Sequence, residues 1–196
     1  MSRGILYIMS GPSGTGKGTI CEELLKRRDM YLSVSATSRN QRKGEVAGVT
    51  YNYLTVDEFK ALIDEDKMLE WAVYNGNYYG TPKEKIEQML EAGKDVLLEI
   101  EPQGAMQVKS KMNDAVMMFI VPPSMKVLKE RLVNRGRESD EEIEKRIKAA
   151  KWEFSQSVNY NDIIVNDDLE ECVTKVLRLM DGYREERNII EKLLNE

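Results

Sequence analysis

An apolar run that breaks directly into glycines and a lysine constrains this chain more than any other feature. The stretch is GILYIMSGPSGTGKGT, from Gly4 to Thr19. Gly4 to Met9 reads as a short buried strand, and Thr19 to Arg28 as a helix with Ile20, Leu24 and Leu25 on one side. A strand, a glycine turn and a helix in immediate succession gather main-chain N–H groups around one point, with the positive end of the helix dipole behind them. That arrangement suits a polyphosphate. Gly11, Gly16 and Lys17 hold the fixed positions of G-x-x-x-x-G-K-[ST], and Lys17 would reach the terminal phosphates. The next position usually carries a hydroxyl that holds magnesium; here it is Gly18, and Thr19 comes one place late. One residue turns a helical side chain by about 100°, so Thr19 does not simply stand in. The main-chain donors do not depend on that side chain. Magnesium also commonly takes only one or two protein groups beside phosphates and water.

The remaining apolar segments predict an α/β chain. Tyr31 to Ser35 alternates as a strand, Asp95 to Glu101 and Ala115 to Val121 read as buried strands, and Asn161 to Val165 as a last short one. Helices are expected from near Pro82 to Ala92, at Ser124–Asn134, at Ser139–Val158 and from Leu169 to the C-terminus. Strands alternating with helices predict a parallel sheet covered on both faces. The stretch from Ala36 to about Tyr79 is more polar and tyrosine-rich, with a helix at Val56–Glu65; it reads as an inserted lobe of short strands. In the last helix, Ile189, Ile190, Leu193 and Leu194 are expected to pack on the core or on a second subunit.

Composition removes several classes of chemistry. The chain has no histidine, which excludes an imidazole base and His-ligated zinc. Cys21 and Cys172 match no metal or redox spacing and read as reduced structural thiols. A net charge of −5 argues against a general nucleic-acid binder, so any anion must be held by local arginine and lysine. No apolar run approaches the ~20 residues that cross a bilayer, and no secretory leader is visible, so a cytoplasmic location with no membrane partner is expected. Two basic groups stand out: Arg39 and Arg42 behind the second strand, and Arg131, Arg135, Arg137 and Arg146 in LKERLVNRGRESDEEIEKRI. Arginine forks match phosphate oxygens, yet such clusters are equally expected on a solvated surface.

Seven separate stretches decide between those readings. GPSGTGKGT, SVSATSRNQRKGEVAGVTYNYL, LEWAVYNGNYYGTP, LLEIEPQGA, FIVPPS, LKERLVNRGRE and IIVNDDL occur in this order, and together they resemble the guanylate kinase family from Gly4 to about Gly182. The resemblance implies a P-loop NTPase core with a central parallel sheet flanked by helices, a small mixed α/β GMP-binding lobe and a helical lid. On the chain these map to a core of 1–35, 83–125 and 160–196, a lobe of 36–82 and a lid of 126–159, within a domain of 4–182. It implies ATP-dependent phosphorylation of GMP, and of dGMP, by in-line transfer, with ATP and GMP as partners and Mg²⁺ as cofactor. It leaves the oligomeric state open.

Site residues follow from the same resemblance. Lys17, Arg39, Arg131, Arg135 and Arg146 would be catalytic, stabilising the phosphoryl group in transit. Gly11, Pro12, Ser13, Gly14, Thr15, Gly16, Lys17, Gly18, Thr19 and Asn166 would bind ATP. Arg39, Arg42, Tyr51 and Tyr79 would hold the GMP phosphate, and Ser35, Glu70 and Thr81 would read the base, with Glu99 and Glu101 at the same end. Thr19 and Glu101 would serve the metal, directly or through water. Family members often carry an aspartate where this chain has Glu101. Gly136 would let the lid bend.

Overall fold

The computed structural model describes residues 2–74, 76–134 and 139–194. Its elements run β1 (Leu6–Ser10), α1 (Lys17–Arg27), β2 (Tyr31–Leu32), β3 (Ala36–Thr37), β4 (Asn52–Tyr53), α2 (Val56–Asp64), β5 (Met68–Tyr74) and β6 (Asn77–Pro82). They continue with α3 (Glu84–Glu91), β7 (Val96–Glu99), α4 (Pro102–Lys111), β8 (Val116–Val121), α5 (Met125–Asn134), α6 (Asp140–Ser155), a 3₁₀ turn at Gln156–Asn159, β9 (Asp162–Val165) and α7 (Leu169–Leu194). Five strands form a parallel sheet in the order β2-β7-β1-β8-β9, and four form a mixed sheet in the order β4-β3-β6-β5.

Strand β1 is buried along its whole length because both its faces are covered. Tyr7 and Met9 turn to one side and pack with Ile20, Cys21 and Leu24 of α1 and with Val173, Val176 and Met180 of α7. Leu6 and Ile8 turn to the other, against Ile86 and Leu90 of α3 and Ala105 and Val108 of α4. Each such side chain contributes roughly 1.5–3 kcal/mol of burial, so this double layer holds the sheet rigid beneath its carboxyl ends.

Local chemistry sets the helix boundaries. Thr55 and Glu58 form a reciprocal capping box on α2, and Ser139 and Glu142 do the same on α6. Helix α3 stops at a Schellman turn: Gly93 has φ +81°, its N–H reaches the Leu90 carbonyl, and the Lys94 N–H reaches that of Met89.

The structure departs from the periodicity in four places. The segment YLSVS is not one strand. Tyr31–Leu32 belongs to the parallel sheet and Ala36–Thr37 to the mixed one, so the chain crosses between sheets at Ser33–Ser35. Pro82 closes β6 instead of opening the next helix. Helix α4 is not among the elements that the apolar pattern predicts; Pro102 at its first position is the signal that could have found it. Lastly, Ile189, Ile190, Leu193 and Leu194 are exposed, so they do not pack on the core. The reason is length: the 26 residues of α7 run about 39 Å, far beyond a strand of about 17 Å.

Asp95, just before β7, anchors α7 to the sheet. Its buried carboxylate accepts the Ile5 N–H at 2.8 Å, pairs with Arg28 at 3.4 Å and pairs with Arg184. Removing that carboxylate strands the buried Ile5 N–H and loosens Arg28 and Arg184. Asp95→Ala is expected to lower unfolding stability by about 1–3 kcal/mol, read as a shifted urea midpoint with an unchanged slope.

Candidate functional site

The glycine turn after β1 is built by backbone geometry. Gly11 has φ +137°, and a Cβ there would stand 2.3 Å from the Ile120 carbonyl oxygen. Gly16 caps α1 in the left-handed region, φ +91°, and a Cβ there would meet the Asn166 amide nitrogen at 2.4 Å. No side chain is tolerated at either place. The turn is held from outside by Asn166, which follows β9. Its Nδ2 donates to the Thr15 carbonyl at 2.8 Å, and its own carbonyl accepts from Arg131 Nη2 at 2.9 Å. The buried Nη1 of Arg131 has no hydrogen-bond partner among the described residues. Arg146 donates from α6 to the Ser13 hydroxyl at 2.6 Å. Arg135, Gly136 and Arg137 lie outside the described residues.

Lys17 folds its ammonium back onto the turn, donating to the carbonyls of Gly11 at 2.5 Å and Pro12 at 3.1 Å. Burial pulls its pKa below the usual lysine value, and the carboxylates of Glu99, Glu101 and Glu153 push it back up. Glu153 is not foreseen from the sequence. The signal is its spacing: it stands seven residues after Arg146, on the same side of α6. Thr19 is exposed in the first turn of α1. Gly18 faces Glu99, whose carboxylate oxygens lie 3.6 and 3.7 Å from where a Cβ would be.

A second cluster sits on the mixed sheet. Arg39 pairs with Glu45 at 2.8 Å and lies 5.6 Å from the centre of the Tyr51 ring; Tyr79 packs edge-on to Tyr51 and shares the field of Arg39. Glu45 also accepts the Arg42 N–H at 2.7 Å and the Tyr53 hydroxyl at 2.8 Å. Those contacts, led by Arg39, hold its carboxyl down at about 2. The Arg42 side chain is exposed. Glu45 and Tyr53 are missed by motif reading, although Tyr51 and Tyr53 alternate and Glu45 closes a turn three residues after Arg42. Ser35 lies one residue before β3, and its carbonyl accepts the Asn52 N–H at 2.8 Å.

Glu70 on β5 is buried and stands opposite Thr81 on β6, whose hydroxyl donates to its Oε1 at 2.5 Å. Burial raises its carboxyl pKa above the usual value, the Thr81 bond lowers it, and nearby Glu101 raises it again. Glu101 caps α4. The segment from Glu99 to Gly104 therefore touches Gly18 at one end and Glu70 at the other. Five residues reach at most about 18 Å, which limits how far apart these two ends of the site can lie.

A glycine turn with its lysine at the carboxyl end of a parallel sheet, beside a mixed sheet that carries a cation cluster and a buried carboxylate, defines a P-loop protein. The guanylate kinase family profile matches residues 3–183. A guanylate kinase of Clostridium perfringens is 52% identical over 89% of this chain and 82% of its own length. One from Thermus thermophilus is 46% identical over 93% and 83%. The crystal structure of guanylate kinase from Anaplasma phagocytophilum superposes with a TM-score of 0.74 at 32% identity, covering 93% of this chain and 87% of the other. The chain belongs to the guanylate kinase family.

Removing the Asn166 amide would strand the buried Thr15 carbonyl. Asn166→Ala is expected to lower stability by about 1–3 kcal/mol, measured by urea unfolding of the ligand-free protein.

Proposed function

We propose that this protein transfers the terminal phosphoryl group of ATP to GMP, giving ADP and GDP. The observation that carries this reading is the Glu99–Gly104 segment, which sets the glycine turn and the Glu70 cluster against each other at close range. ATP would lie with its phosphates in the turn formed by Gly11 to Thr19. GMP would lie with its phosphate toward Arg39, Arg42, Tyr51 and Tyr79 and its base toward Ser35, Glu70 and Thr81. On this reading residues 36–82 form the acceptor lobe, residues 126–159 the lid, and the rest of 4–182 the core. Asn166 joins the donor side by fixing Thr15 and Arg131.

The chemistry needs little covalent help. The acceptor is already a phosphate anion, so no strong base is required, and the absence of histidine is no obstacle. The transition state spreads charge over three equatorial oxygens. Lys17, Arg131, Arg146 and Arg39 would meet that charge, with Arg135 completing the set. A phosphate oxygen would supply the partner that Arg131 Nη1 lacks, and would draw Lys17 from the carbonyls it now holds. Closing α6 over the turn excludes water and so suppresses wasteful hydrolysis.

The residues present fit a magnesium ion. Where the loop lacks its usual hydroxyl, the Glu99 carboxylate faces Gly18 and offers hard oxygen ligands. Glu99 thus joins Glu101 and Thr19 as a group that would hold the ion, directly or through water. When bound, the ion neutralises charge on the donor phosphates. Glu101, within the fields of both Lys17 and Glu70, would then serve either end.

Guanine presents an N1–H and an N2 amine on one edge, and one carboxylate accepts from both. Adenine lacks that pair and would leave the buried Glu70 carboxylate with the Thr81 hydroxyl as its donor and its second oxygen unmatched, which is heavily penalised. Among the described residues no helix is long and apolar enough to cross a membrane. Cys21 and Cys172 are free and buried, and burial raises both thiols. Buried reduced thiols support a cytoplasmic setting.

Coupled ADP-release assays with GMP, dGMP, AMP, CMP and UMP test the proposal. GMP is expected to lead, with dGMP next and AMP weaker by several orders of magnitude. Lys17→Ala should lower kcat by about 10²–10³. No ATP consumption with GMP would instead indicate a binding module of the same fold. The pH dependence has a defined sign. Glu70 protonates at a higher pH than the usual 4.5, and only its ionised form accepts both guanine donors. The KM for GMP should therefore rise as pH falls toward that range, while Glu70→Gln should show a high KM that varies there only as the GMP phosphate itself titrates.

A further inference from the structure

Helix α4 lies along β5 and meets it through three residues on one face. Gln107 exchanges two hydrogen bonds with the main chain of Trp71, accepting its N–H at 3.1 Å and donating to its carbonyl at 2.9 Å. Lys111 donates to the Met68 carbonyl at 2.7 Å. One turn before Gln107 stands Gly104, and it meets the Glu70 side chain. A Cβ at Gly104 would lie 2.5 Å from Oε2, 3.0 Å from Cδ and 3.3 Å from Cγ of Glu70. The shortest of those distances means that any side chain at 104 would require the Glu70 carboxylate to move. Glu70 has little freedom to yield, since it is buried and its Oε1 holds the Thr81 hydroxyl.

We propose that Gly104 is a specificity-determining positioning residue: its missing side chain is the slot in which the Glu70 carboxylate stands. Gln107 and Lys111 fix α4 in register on β5, and that register places the slot. The inference rests on Glu70 reading the guanine edge, as proposed above. Backbone conformation does not explain the glycine. Gly104 is not in the left-handed region, and it sits in a helix, where alanine is the better former. A residue that runs against its local preference calls for a contact that requires it, and the Glu70 carboxylate is that contact.

The test compares Gly104→Ala, Glu70→Gln, Glu70→Asp and the double variant Gly104→Ala/Glu70→Asp, with GMP, AMP and ATP titrated for each and thermal unfolding recorded. Gly104→Ala is expected to raise the KM for GMP at least about tenfold and to narrow the GMP-over-AMP preference, because displacing a recognition group by about 1 Å is enough to do so. Its KM for ATP and its kcat at saturating GMP should be unchanged. Aspartate is one methylene shorter, so Gly104→Ala should cost far less in the Glu70→Asp background. A wild-type GMP KM in Gly104→Ala overturns the proposal, as does an equal loss in the Glu70→Asp background or an equal loss in the KM for ATP. If Gly104→Ala does not fold but the double variant folds with the KM of Glu70→Asp, the clash is the cause and the proposal stands. If neither folds, the glycine is structural and the proposal fails. A wild-type GMP KM in Glu70→Gln rejects the reader itself. A high KM in Glu70→Gln beside a normal Gly104→Ala rejects only the role of Gly104.

Discussion

The pairing of β1 with β7, which sets Met9 beside Glu99, is the contact on which both halves of the site depend. It fixes the glycine turn at the end of one strand and two carboxylates at the end of its neighbour. Because the sheet is parallel, β8 and β9 also end on this side, and Asn166 arrives there to brace the turn. From Glu99 the chain passes at once into α4, which holds the mixed sheet by its β5 edge. Rigid packing beneath β1 thus reaches the mixed sheet through one short segment, whose length limits how far apart the two clusters can lie, while the bonds of Gln107 and Lys111 hold α4 on β5.

Local placement, not overall charge, lets an acidic chain hold two anions. Lys17 is half-buried and bonds to its own loop; Arg131 has one buried nitrogen without a hydrogen-bond partner among the described residues; Arg39 is steered by Glu45, Tyr51 and Tyr79. On the proposed reading a phosphate would meet Arg131 already held by the Asn166 carbonyl, whereas Lys17 would exchange its bonds to the loop carbonyls for bonds to the phosphate. Glu70 applies the same logic with the opposite sign. On the proposed reading, that buried carboxylate would favour a ligand that brings two donors and disfavour one that does not.

Much of this was legible in the sequence, for identifiable reasons. The turn after β1 is written in Gly11, Gly16 and Lys17, whose spacing carries a main-chain geometry that survives the loss of a hydroxyl at Gly18. Arg39, Tyr51 and Tyr79 come from distant points of the chain and do meet, and Glu70 does face Thr81. What escaped was tertiary. YLSVS alternates along its length, yet pairing splits it between two sheets, because alternation reports exposure and not the partner strand. The apolar stripe of α4 is short, Ala105 and Val108 against the parallel sheet, while the face it turns to β5 carries Gly104, Gln107 and Lys111, so periodicity has little to detect. Glu45 and Glu153 resemble any surface acid until the fold sets them beside Arg39 and Lys17. The apolar end of α7 looked like core, but the helix outruns the sheet.

The central claim is that two nucleotides meet phosphate to phosphate in one continuous site. Steady-state inhibition by a single molecule that joins adenosine to guanosine through a chain of phosphates tests it most directly. The account predicts inhibition competitive with both ATP and GMP, at concentrations far below the KM of either, because tethering makes the second contact intramolecular. Competition with only one substrate, or binding no tighter than that of the separate nucleotides, would contradict it.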